Sequence, residues 1–184
     1  KLVCKRDAER LVGSFPKNSL LVYTDGSSRG NPGPAGAGAL ITTPGTDEVR
    51  ILFPLGRSTN NAGELWAIGM ALEYIRDNHE LLELTESRPT YILSDSLYAR
   101  NAISKGTATQ PLLRPLISRI RELASMFKLF PPKVYWVPGH SGITGNECAD
   151  SLATEASIRS ESMYNGDNCA SELEHFVTFH WNFA

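Results

Sequence analysis

The chain has 184 residues, of which 41% are hydrophobic and 21% charged, with a formal net charge of -2. That length suits one domain with a real core, and the composition is that of an ordinary globular protein. The charge argues against a strongly basic nucleic-acid binder, yet a nuclease stays open because bound divalent cations reverse the field around an acidic site.

Charged residues 1–19 read as an N-terminal extension, residues 20–160 as the domain and residues 161–184 as a C-terminal tail. The first strand is Leu20–Asp25, and the turn formers of Gly26–Pro34 read as a loop. Strand-like runs follow around Ala37–Thr43 and Val49–Leu55, with Pro44-Gly45-Thr46 as the hairpin signal. From about Asn61 the period becomes helical through Leu65, Ile68, Leu72 and Ile75. Thr90–Ser94 is a buried strand, Ser96–Ser104 a short helix and Lys105–Gln110 a loop. Leu112, Leu116, Ile120 and Leu123 mark a second long helix with Pro111 near its start and Pro131-Pro132 beyond its end. Val134–Val137 is a fifth strand, Pro138–Gly145 a loop and Asn146–Ile158 a last helix capped by Asn146.

A three-strand meander followed by αβαβα implies an α/β fold with a five-stranded mixed sheet and helices on both faces. Its first three strands are antiparallel, and right-handed crossovers lay the last two parallel to the first. The carboxyl ends of the first and fourth strands then meet at a topological switch point, where such sheets bind ligands. Asp25 and Asp95 stand at those ends.

Cys4, Cys148 and Cys169 are odd in number and form no Cys-x-x-Cys pair, so neither a zinc site nor a disulfide framework fits. A reducing intracellular compartment, cytoplasm or nucleus, is expected. No apolar run spans a bilayer and residues 1–15 carry no secretory pattern, so no membrane partner is expected. A chain opening on Lys1 in place of Met suggests a piece of something larger.

An acid closing a buried strand is expensive unless something pairs with it. Taken singly, Asp25 and Asp95 are as well read as loop-capping residues, Glu64 as a first-turn helix stabiliser and Asp150 as a solvated acid. Gathered in one crevice they raise one another's pKa, and a divalent cation resolves the conflict. Oxygen ligands with no Cys/His cluster point to Mg²⁺ or Mn²⁺, and two such ions ~4 Å apart activate water and stabilise a leaving oxygen. His140 lies on a strand-to-helix loop with Gly139, Gly142 and Gly145, which read as giving it freedom to move, and it can carry a proton to that oxygen. Gly33–Gly38 leads into a strand, so a dinucleotide or phosphate loop fails its context test. His175 and His180 have no accompanying ligand pattern.

The segments YTDGSSRGNPGPAGAGA, TNNAGELWAI, ILSDS and GHSGITGNECADSLA resemble, in order, the motifs of the type 1 ribonuclease H family, over about Leu20–Ala156. The resemblance implies the ribonuclease H-like fold and a two-metal endonuclease that cuts RNA in RNA–DNA hybrids, leaving 3′-hydroxyl and 5′-phosphate ends. It makes Asp25, Glu64, Asp95 and Asp150 metal-binding catalytic carboxylates and His140 a mobile catalytic histidine. Asn31, Asn60 and Asn61 match contacts to the hybrid's minor groove and RNA hydroxyls. Arg57 and Thr59 look like the phosphate pocket for the DNA strand. Two departures stand out. Gly63 beside Glu64 costs roughly 1 kcal/mol of helix propensity relative to Ala and puts local rigidity in question. The stretch from Asp95 to His140 lacks the basic, Trp-rich handle of many free-standing relatives, so weak binding alone and a tethered reverse transcriptase or hybrid-binding domain are expected. An integrase on the same fold leaves His140 and TNN unexplained, and an inactive hybrid-binding scaffold is opposed by four intact carboxylates.

Overall fold

Alternating side chains in β1 (Leu20–Ser28) feed two apolar layers: Leu20 and Val22 enter one core cluster and Tyr23 the other, as a period of two requires. The computed structural model describes residues 5–45, 47–80, 82, 88–127 and 131–164. β1 pairs antiparallel with β2 (Gly33–Thr42), which pairs antiparallel with β3 (Val49–Ser58). β4 (Thr90–Ser94) runs parallel to β1, and β5 (Lys133–Trp136) parallel to β4. The result is the expected five-stranded mixed sheet, in the order β3-β2-β1-β4-β5.

Two helical layers cover it. α2 (Asn60–Asp77), α3 (Leu97–Lys105) and α4 (Arg114–Ser125) share a core in which Leu65, Ile68, Leu72, Ile117 and Ile120 pack with Val22, Ile41 and Ile92. Each such side chain contributes about 1.5–3 kcal/mol on full burial. α5 (Thr144–Tyr164) and α1 (Lys5–Gly13) lie on the opposite face, where Ala8, Tyr23, Leu40, Leu93, Val137 and Ala149 form a second cluster. The sequence pattern gave no element to residues 1–19, yet α1 buries Ala8, and Phe15 stacks on Tyr91 with ring centroids 3.8 Å apart.

Three local expectations change. Gly26–Pro34 is mostly strand, because β1 continues to Ser28 and β2 starts at Gly33. Leu112 is 93% exposed in a 3-10 turn (Pro111–Leu113) that precedes α4. Three residues per turn rotate it off the face that the helical period assigns. α5 starts at Thr144, so Asn146 lies inside the helix and is buried. Among the described residues no helix is long and apolar enough to cross a membrane, and Cys148 is a free, half-buried thiol. Cys4, Cys169, His175 and His180 lie outside the described residues.

Candidate active site

β1 and β4 are in parallel register up to Thr24 and Ser94, so Asp25 and Asp95 follow side by side. α2 brings Glu64 to the same place because two backbones touch without side chains between them. A Cβ on Gly26 would lie 2.2 Å from Glu64 N, and one on Gly63 would lie 2.8 Å from Gly36 O. Gly63 therefore seats α2 on the strand, and its propensity cost accompanies close packing instead of looseness. Glu64 also falls just past the first turn in which it was expected. Thr59 is the N-cap and Asn60 the first residue of α2, and the macrodipole acts mainly within the first turn. Tertiary placement, not helix capping, explains this acid.

One oxygen from each of Asp25, Glu64 and Asp95 falls within 4.8 Å of the others. Asp25 is 7% exposed and Glu64 3%, while Asp95 is half-buried. Burial, then the neighbouring Asp95 and Asp150, pushes the Asp25 carboxyl up to about 8. Burial and the Asp25 and Asp95 charges likewise hold Glu64 well above the usual carboxylate range. Asp95 is raised by burial, against which an Asn146 hydrogen bond and the His140 charge work. Asp150, half-buried on α5, shares a side-chain hydrogen bond with Asp25 but stands outside the close triad. His140 is exposed near Asp95 and has a positive φ of 47°, a conformation uncommon outside glycine. An oxygen-only, buried set carrying more negative charge than it can keep ionised suits a hard divalent cation.

The supports of this cluster were not evident in the sequence pattern. Ser94, wholly buried, accepts from Ser96 N at 3.1 Å and so directs its own proton to Glu64 Oε2 at 3.4 Å. Trp136 Nε1 donates to the Asp95 carbonyl at 2.8 Å. Asn146 bonds the Asp95 carboxylate in place of capping α5, and its buried Oδ1 has no partner. A Cβ on Gly139 would lie 2.2 Å from Asp95 Oδ2, so this glycine provides closeness to the acid as well as loop freedom.

A polar rim adjoins the acids. Asn31 is exposed in the short turn after β1, and its Oδ1 accepts from Asn60 N at 3.2 Å. This leaves the Asn31 amide nitrogen free of that bond. Thr59 accepts from Ala62 N at 3.2 Å as the α2 cap, while Arg57 lies exposed near the end of β3 and Asn61 is half-buried. The structure thus brings Asn31 and Asn60 into contact and ties Thr59 to the helix it starts.

The family model for RNase H matches residues 17–158. The chain belongs to the ribonuclease H family. It is 34% identical over 152 residues to a Ribonuclease H of Mycolicibacterium smegmatis, an alignment covering 75% of this chain and 87% of that one. The fold is similar to that of RNase H1 from the halophilic archaeon Halobacterium salinarum, with a TM-score of 0.60, 30% identity and coverage of 77% and 98%. It is also similar to the N-terminal RNase H domain of a Mycobacterium tuberculosis protein, with a TM-score of 0.61, 30% identity and coverage of 79% and 99%. As a ribonuclease H the chain is a hydrolase, of a family that works with divalent metal. The family match takes in all five strands and the four acids, and it leaves out α1 and the last turns of α5.

Proposed function

We propose that this ribonuclease H hydrolyses the RNA strand of RNA–DNA hybrids endonucleolytically, leaving 3′-hydroxyl and 5′-phosphate ends. Asp25, Glu64, Asp95 and Asp150 would hold two Mg²⁺ ions, for which Mn²⁺ can substitute. The observation that carries the reading is the buried triad of upward-shifted carboxyls beside a rim of exposed amides. Bound there, divalent cations would supply charge stabilisation for the attacking and leaving oxygens of a phosphodiester.

The chain's own residues do the rest. Ser94 and Asn146 fix the carboxylates of Glu64 and Asp95, so ligand geometry is set before substrate arrives. His140, on the exposed side of Asp95, carries a proton to the leaving oxygen. Asn31, Asn60 and Asn61 donate to and accept from 2′-hydroxyls displayed in a wide, shallow minor groove. Arg57, with Thr59, holds a phosphate of the DNA strand, the guanidinium forking onto its oxygens.

The working domain extends beyond residues 20–160 at both ends, because α1 packs on the second core cluster and α5 runs on to Tyr164, with Glu161 paired to Arg29. Between Asp95 and His140 the seven cations, Arg100, Lys105, Arg114, Arg119, Arg121, Lys128 and Lys133, are scattered along the sequence and form no dense basic run. Counterion release from phosphates supplies much of such affinity, so a tethered reverse transcriptase or hybrid-binding domain would raise the effective substrate concentration. The test is cleavage by the purified chain with Mg²⁺ of labelled hybrid, double-stranded RNA and double-stranded DNA in parallel. RNA-strand cleavage of the hybrid alone is expected, and cutting of either homoduplex at a similar rate contradicts the reading.

A further inference from the structure

Near the rim the ladder between β2 and β3 breaks. Ala35 pairs with Gly56 but Gly36 pairs with Pro54, so Leu55 is an extra residue on β3. Pro54 has no N–H to give, and a bulge leaves strand groups unpaired while bending the strand. The gap is closed from outside the sheet. Ser160, fully buried near the end of α5, accepts from Gly56 N at 3.1 Å and donates to Ala35 O at 2.6 Å. One hydroxyl thus joins the two strands at the bulge. α5 comes this near because a Cβ on Gly36 would lie 2.4 Å from Ser157 N.

The next residue reaches the other side of the rim. Glu161 Oε2 pairs with Arg29 Nε at 2.9 Å, in the turn that carries Asn31. Gly56 directly precedes Arg57, and Ser28 Oγ donates to Ser58 O at 3.1 Å. The last turns of α5 therefore fasten both segments that carry the rim, the 29–32 turn and the end of β3. These turns lie beyond residue 158, where the family match ends.

We infer that Ser160 and Glu161 are positioning residues for hybrid binding: without touching substrate, they set the spacing of Asn31 and Arg57 along the rim. The inference rests on the reading of Asn31, Arg57 and the adjoining Thr59–Asn61 as substrate contacts. It predicts a KM effect with little change in kcat, because neither residue is bonded to the acid cluster in these contacts. A hydroxyl that merely filled the bulge would affect thermal stability and leave both constants alone.

The charge at Glu161 sharpens the test. Removing an acid beside a polyanion strengthens its electrostatic attraction, so simple electrostatics makes Glu161→Gln lower KM, whereas lost positioning raises it. Steady-state cleavage of a labelled hybrid is measured for the full chain and both variants, well below their melting temperatures. Expected for Ser160→Ala is a KM higher by roughly five- to tenfold, the scale of one lost hydrogen bond, with kcat and Mg²⁺ half-saturation unchanged. Expected for Glu161→Gln, an exposed pair, is a rise of about twofold. Unchanged or lower KM in Glu161→Gln overturns the inference, whether or not Ser160→Ala folds, and so does a loss in Ser160→Ala confined to kcat. If the wild-type chain cuts hybrid but the variants keep its KM, this inference alone fails. If the wild-type chain does not cut hybrid, the functional reading fails and takes the inference with it.

Discussion

The acid cluster and the polar rim adjoin one another and are built on opposite principles. Asp25 and Glu64 are almost fully buried, and burial with mutual repulsion drives both carboxyls toward the protonated form. Asn31, Arg57 and Asn60 lie exposed, so their polar groups keep water until a partner replaces it. One region stores electrostatic conflict that a counter-charge relieves, and the other is relaxed in the free chain. Chemistry therefore belongs to the interior and recognition to the surface, and substitutions in the two should read out differently.

The largest effect is expected from Asp25→Asn, which nearly abolishes hydrolysis while the fold, followed by circular dichroism, persists. Activity within about tenfold of wild type breaks the assignment of turnover to the interior. Next comes His140→Ala, expected to lower kcat by roughly 10²–10⁴-fold, the range of general acid–base catalysis, with Mg²⁺ affinity preserved. Lost metal affinity in calorimetry would make His140 a ligand or a prop. The rim is probed from the substrate side: deoxynucleotides at the contacted positions should cost about 1–3 kcal/mol in kcat/KM through unpaired amide donors. Equal cleavage of modified and unmodified hybrids removes the rim's role.

The smallest effect is on stability. Asp25 titrates near 8 in the fold and near its ordinary 3.8 unfolded, so between those values the folded chain holds more protons. Stability from this group is complete below the unfolded value and is lost as pH rises through the folded one. In metal-free buffer the melting temperature should therefore fall more steeply with pH for wild type than for Asp25→Asn. Parallel curves would show that the interior is not strained.

The same contrast governs what the sequence revealed. Strand order and the meeting of Asp25 with Asp95 were legible because the apolar runs of β1 and β4 and the handedness of crossovers fix which strand ends adjoin. Glu64 was found as a residue but assigned to the first turn, which it just misses, since the cap at Thr59 became evident only from its bond to Ala62 N. Glycines were read for conformational freedom, whereas Gly26 and Gly63 serve a backbone approach that no linear pattern encodes. Asn146 looked like a cap by its position before an apolar run, and only tertiary contact turns it toward Asp95. α1 escaped notice because its charged composition hides a short helical pattern, Ala8, Leu11 and Val12 falling on one face of nine residues.

The central claim is that buried carboxyls hold protons that a divalent cation must displace. Isothermal calorimetry of Mg²⁺ binding near pH 8, repeated in buffers of different ionisation enthalpy, counts those protons directly. The account predicts saturable binding with net proton release from the wild-type chain, and clearly less release from Asp25→Asn. Binding with no proton release, or release undiminished in Asp25→Asn, would contradict it.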